Sequence, residues 1–68
     1  MYYVIAKEED GKSFSYAEKI GRHINLVVYI KDRPEIKVML SVRSKKEAED
    51  IAEDWNATAR ADGKLLAD

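Results

Sequence analysis

The side chains that could do chemistry are few and far apart. His23 is the only histidine in the chain. A general base or a metal ligand needs a partner that orients it, and neighbouring Gly21 and Arg22 supply none, so His23 reads as a surface loop residue. Glu8, Glu9 and Asp10 are three adjacent acids. A calcium loop takes about six oxygen ligands at spaced positions, so this run reads as a solvated turn. Ser13, Ser15, Ser41 and Ser44 lie in no Gly-x-Ser-x-Gly elbow and beside no phosphate-cradling glycine loop. With no cysteine and one histidine there is no ligand set for a structural zinc. No catalytic, cofactor-binding or metal-binding residue is expected, and neither is an enzyme.

Two surfaces are left as candidates for binding. Glu47, Glu49, Asp50, Glu53 and Asp54 give the C-terminal part of the chain an acidic helix surface, with Glu47, Asp50, Glu53 and Asp54 as its candidate binding residues. It reads as a solvated outer face, or as a surface offered to a basic protein, including by mimicry of nucleic-acid phosphate. The second is a sheet face made of Tyr2, Val4, Lys19, Lys37, Met39, Ser41 and Arg43. Its mixture of cations, apolar groups and one tyrosine suits a protein partner, and with stacking on Tyr2 a single-stranded nucleic acid.

The elements that would position these residues follow from periodicity. Residues 2–7 and 13–20 read as a hairpin. Asp10-Gly11 is a strong signal for a type I′ turn, in which both central residues need positive φ. Counting outward from that turn sets Glu9 against Lys12, Lys7 against Phe14, Ile5 against Tyr16 and Tyr3 against Glu18. One face then carries Tyr3, Ile5, Phe14 and Tyr16, and its greater apolar bulk selects it for burial. Residues 35–43 alternate with period two, placing Ile36, Val38, Leu40 and Val42 together.

Residues 45–62 read as the longest helix. Ser44 and Glu47 fit a capping box. Ala48, Ile51, Ala52, Trp55 and Ala59 form one apolar stripe, on which Trp55 reads as a core anchor, and Gly63 stands where a left-handed residue ends a helix. Residues 24–31 fit a strand through Val27, Val28, Tyr29 and Ile30. They also fit a short helix capped by Asn25, with Leu26, Tyr29 and Ile30 on one side. Pro34 ends either one.

The expected architecture is α+β: a three-stranded antiparallel sheet in the order ββ(α)βα, with one C-terminal helix packed on one face. The expected core is Tyr3, Ile5, Phe14, Tyr16, Ile36, Val38, Leu40, Val42, Ala48, Ile51, Ala52 and Trp55.

The 68 residues allow one domain, spanning 1–68. A domain this small buries only about 60% of the surface its unfolded chain exposes, and no disulfide staples this one. Lys and Arg number 12 and Asp and Glu 13, which rules out a strongly basic nucleic-acid coat. Residues 1–43 carry 8 basic and 6 acidic groups, and residues 44–68 carry 4 and 7. The two parts therefore present opposite potentials. The N-terminal apolar run is broken at Lys7, too early for a signal or a membrane span. The cytoplasm is the expected location.

Two family resemblances bear on the reading. The start Tyr2-Tyr3-Val4-Ile5-Ala6-Lys7, the Asn25-Leu26 pair, and the stretch Ser44 to Ala52 followed by Trp55-Asn56 and Gly63 resemble small uncharacterised proteins of bacterial mobile elements. That resemblance implies a short helix around Asn25-Leu26 and an accessory or regulatory role. The order hairpin, strand, helix, with an acidic-Gly turn and a Ser-x-x-Glu-Ala helix start, is similar to the N-terminal domain of HicB-type antitoxins. This second resemblance implies binding to a small ribonuclease toxin, although the family's Leu-Pro-Gly and Gly-Asp-Thr segments are missing here.

The function expected is therefore a non-enzymatic protein–protein interaction or regulatory module. The alternatives are a nucleic-acid-binding module using the basic sheet face, and an antitoxin-like or anti-restriction inhibitor using the acidic helix. The expected partner is another protein or a second copy of the chain, ahead of nucleic acid; no membrane and no cofactor are expected.

Overall fold

The computed structural model describes residues 1–66, and for His23 the backbone alone. The order is β1 (Tyr2–Glu9), β2 (Lys12–Lys19), α1 (His23–Ile30), β3 (Ile36–Val42) and α2 (Lys45–Ala61). The three strands form one antiparallel sheet in the spatial order β2-β1-β3. The class is α+β with two helices. Residues 24–31 thus contribute a helix, which begins one residue earlier, at His23, and is preceded by Arg22 in extended conformation rather than capped by Asn25. His23 opens this helix and is not a loop residue; its side chain lies outside the described residues.

The hairpin follows from its turn. Asp10 and Gly11 have φ of 53° and 78°, as a type I′ turn requires. The pairing runs Glu9↔Lys12, Lys7↔Phe14, Ile5↔Tyr16 and Tyr3↔Glu18, the register counted from Asp-Gly. A Cβ at Gly11 would meet nothing within 4 Å, so only backbone strain opposes a side chain there. Gly11→Ala is expected to lower stability by about 1 kcal/mol. A denaturation midpoint unchanged in that variant would show that the turn is not under this constraint.

The third strand departs from the expected alternation. β1 pairs with β3 through Val4↔Leu40 and then Ile5↔Val38, so Met39 is the extra residue of a β-bulge. The bulge divides the four apolar residues that were expected to share a face. Leu40 and Val42 stand beside Val4 and Tyr2, whereas Val38 and Ile36 stand beside Ile5 and Lys7.

α2 is framed at both ends. The Ser44 hydroxyl accepts from the Glu47 backbone N–H at 3.4 Å. At the other end Gly63 has φ 69°. Its N–H donates to the Arg60 carbonyl at 3.1 Å, and that of Lys64 donates to the Ala59 carbonyl at 2.7 Å, the paired bonds of a Schellman ending.

The helix packs on the face not expected to be buried. Val4, Ala48 and Ala52 form the enclosed cluster, with Tyr2, Ala17, Leu40, Val42, Ile51 and Trp55 packed around it. The physical reason is shape rather than apolar bulk. α2 presents alanines, and the strands oppose them with Val4, Ala6, Ser15 and Ala17, so the backbones can approach closely. Trp55 is half-buried, at the margin of the cluster and not its centre. Of the residues expected in the core, Tyr3, Phe14, Tyr16, Ile36 and Val38 are only half-buried and lie on the sheet face away from α2, with Ile5 fully enclosed among them. Leu40, Val42, Ala48, Ile51 and Ala52 do belong to the α2 side. Val4, Ala6 and Ile20 are buried without having been expected.

The chain after α2 returns to the sheet. Ser13 donates its N–H to the Lys64 carbonyl and accepts from the Leu66 N–H, both at 2.8 Å, making a parallel bridge with Leu65. One step along, the Asn56 side chain accepts from the Ser15 N–H at 2.7 Å and donates to the Ser15 carbonyl at 2.8 Å. An amide side chain thus takes the place of a neighbouring strand. Among the described residues, no buried side-chain nitrogen or oxygen lacks a hydrogen-bond partner.

Candidate functional site

β2 and β3 run parallel to one another with β1 antiparallel between them. Joining them demands a crossover, and α1 provides it on the Tyr16 side of the sheet. Two half-buried residues, Leu26 and Tyr29, make its inner side. The Tyr29 and Tyr16 hydroxyls share a hydrogen bond at 2.6 Å, and the Arg33 guanidinium lies over the Tyr29 ring at 5.1 Å. After the helix, Lys31 is extended and Asp32 has φ 58°. The Arg33 N–H returns to the Ile30 carbonyl at 3.2 Å, closing a tight turn.

The outer side of α1 is the unusual surface of the molecule. Ile24, Val27, Val28 and Ile30 are 61, 45, 63 and 39% exposed. Ile24, Val27 and Val28 fall at i, i+3 and i+4, the spacing of one helical stripe. A surface helix ordinarily turns that stripe inward and its polar residues outward, and a helix apolar all round is a buried helix. Eight residues, half of them β-branched, also form a poor helix on their own. Most helix stability in proteins comes from packing, and among the described side chains of α1 Leu26 and Tyr29 alone are half-buried.

The Tyr16–Tyr29 hydrogen bond anchors this helix, and Tyr16 responds to pH. Burial first, then the hydrogen bond to Tyr29 and the charges of Tyr29 and Glu18, hold the Tyr16 hydroxyl well above its ordinary value of 10.0, with Arg33 acting the other way. The folded chain keeps this proton after the unfolded chain has released it. Stability from this group is therefore complete below about pH 10 and is lost as pH rises past it. The denaturation midpoint is expected to hold through neutral pH and fall on the alkaline side, with a shallower fall in Tyr16→Phe.

The seven residues proposed as an open sheet face do not form one. Val4 is fully buried and Tyr2 packs against the same cluster, because α2 covers this side. Ser41 pairs with Tyr3, which places it on the opposite side of the sheet. Lys19 is exposed with its ammonium 6.0 Å from the Tyr2 ring centre, and Lys37 pairs with Glu8 at 3.5 Å. Met39 is exposed at the bulge, and Arg43 is exposed beyond the strand. On the acidic helix, Glu47, Asp50, Glu53 and Asp54 are all exposed, with Asp50 paired to Lys46 at 2.9 Å. Among the described residues no group of three or more His, Cys, Asp or Glu is placed to hold a metal ion. The depressions beside α2 are shallow and open. One of about 360 Å³ lies between the hairpin tip and Trp55.

The apolar outer side of α1 was not singled out from the sequence, although the signal was there. Once residues 24–31 are read as helical, Leu26 and Tyr29 make one apolar side, and Ile24, Val27 and Val28 make a second. A sheet can cover only one of them.

Comparison with protein-family models, with curated proteins and with solved structures gives no match for this chain. Among the described residues, no helix is long and apolar enough to cross a membrane.

Proposed function

We propose that this chain is a non-enzymatic protein-interaction module of the cytoplasm, with an accessory or regulatory role, and that it binds through the outer side of α1. The observation that carries this reading is the outward stripe of Ile24, Val27 and Val28 on a helix with little packing of its own. Contiguous exposed apolar surface of this kind marks a contact site. The alternative of single-strand binding on the sheet has less support, because its one stacking residue, Tyr2, packs beneath α2.

A photo-crosslinking amino acid placed at Val28 in the full chain, in its native cells, tests the reading. Capture of protein through position 28, with none through the exposed control position Lys12, is the expected result. Capture of nucleic acid alone, or no capture at 28, overturns it.

A further inference from the structure

Resting on that reading, we propose that the occupant of the α1 surface is a second copy of this chain, packed α1 against α1 about a two-fold axis.

Three observations point to a second copy. First, the domain is poorly filled. Among its buried apolar residues, Val4 and Ile5 are the largest that are fully enclosed, and three others are alanines. Small domains without disulfides or metals commonly gain their missing stability by oligomerisation. A partner required for stability must be present whenever the chain is made, and a second copy always is.

Second, the surface is complementary to itself. In an antiparallel crossing centred on Val27, Val27 meets its own symmetry mate, and Ile24 of one copy lies beside Ile30 of the other. The same operation brings Arg22, at the start of the helix, to Asp32, in the turn after it. Both are exposed and of opposite charge, so each end of the apolar contact closes on an ion pair. Isologous contacts of this kind are the commonest way soluble chains pair. A formal net charge of −1 sets up no long-range repulsion between copies.

Third, the competing route to a dimer is obstructed at both sheet edges. Lys64, Leu66 and the Asn56 amide occupy β2 at Ser13 and Ser15. The bulge at Met39 interrupts β3, and bulges protect edges from adding a strand.

The test is light scattering after size exclusion over a wide concentration series, with thermal melts at the same concentrations. A mass of twice the chain and a melting temperature that rises with concentration are expected. Val28→Asp should shift the protein to monomer, and Met39→Asp should leave it dimeric. Because Val28→Asp could unfold a chain that depends on its partner, a second variant is needed. The sequence has no cysteine, so Val27→Cys, at the two-fold axis, offers a single thiol, expected to oxidise rapidly to a disulfide-linked pair while Lys12→Cys stays reduced.

A monomer at every concentration overturns the proposal. So does a dimer lost in Met39→Asp but kept in Val28→Asp, which would place the contact on the sheet edge. The crosslinking result separates this failure from failure of the binding reading. A monomer whose position 28 captures a different protein overturns the second copy alone, and capture of nucleic acid only overturns both.

Discussion

Ile5→Ala loses about 3 kcal/mol of stability, enough in a 68-residue chain to abolish a cooperative melt. Ile5 is fully enclosed and sits in the central strand, paired with Tyr16 on one side and Val38 on the other. Among the described residues it is the one fully buried side chain on the sheet face away from α2. Tyr16 is held by its hydrogen bond to Tyr29 and Phe14 is stacked on Tyr16, so these side chains resist collapse into the space it leaves. Ile5→Val removes a single methylene and is expected to cost about 1 kcal/mol and to remain folded. Denaturation midpoints of the two variants decide the matter. An Ile5→Ala protein that melts near the parent would mean this face of the sheet contributes little to stability.

Asn56→Ala loses about 2 kcal/mol. The variant removes both hydrogen bonds to Ser15 and leaves a backbone N–H and a backbone carbonyl in a part-buried place with no partner. Asn56→Asp separates the two bonds. Its carboxylate still accepts from the Ser15 N–H but faces the Ser15 carbonyl with like charge, so at neutral pH it should be no better than alanine. On acidification the carboxyl gains a proton that it can donate, and part of the loss returns. A denaturation series across acid and neutral pH reads this directly. Equal stability of Asn56→Ala and parent would show that water replaces the amide without loss.

How much of this was legible in the sequence differs from element to element. The hairpin was, because Asp10-Gly11 defines a turn and every pair follows by counting. The frame of α2 was, because Ser44 and Gly63 act through the backbone next to them. Which sheet face α2 would cover was not. Counting apolar bulk favours Phe14 and Tyr16, whereas a helix of alanines seats closest on Ala6, Ser15 and Ala17. The bulge was invisible because residues 35–43 alternate without interruption, and the extra residue appears only when β3 is laid against β1. Asn56 on an otherwise apolar stripe was a readable anomaly, since an amide there needs two partners. The candidate site was the least legible part, because a surface helix with two apolar sides is recognised only once one side is seen to be occupied.

The Asn56 bridge also bears on the order of events as the chain folds. Ser15 and Asn56 are 41 residues apart, while the hairpin closes through a two-residue turn. The hairpin can form early and locally, and its outer edge stays bare until α2 docks. The bridge therefore belongs after the folding barrier, where weakening it speeds unfolding and leaves the folding rate nearly unchanged. During the interval before docking, Ser13 to Lys19 form an open strand edge, which makes the unfinished chain, rather than the finished one, the species prone to edge-to-edge strand pairing in a concentrated solution.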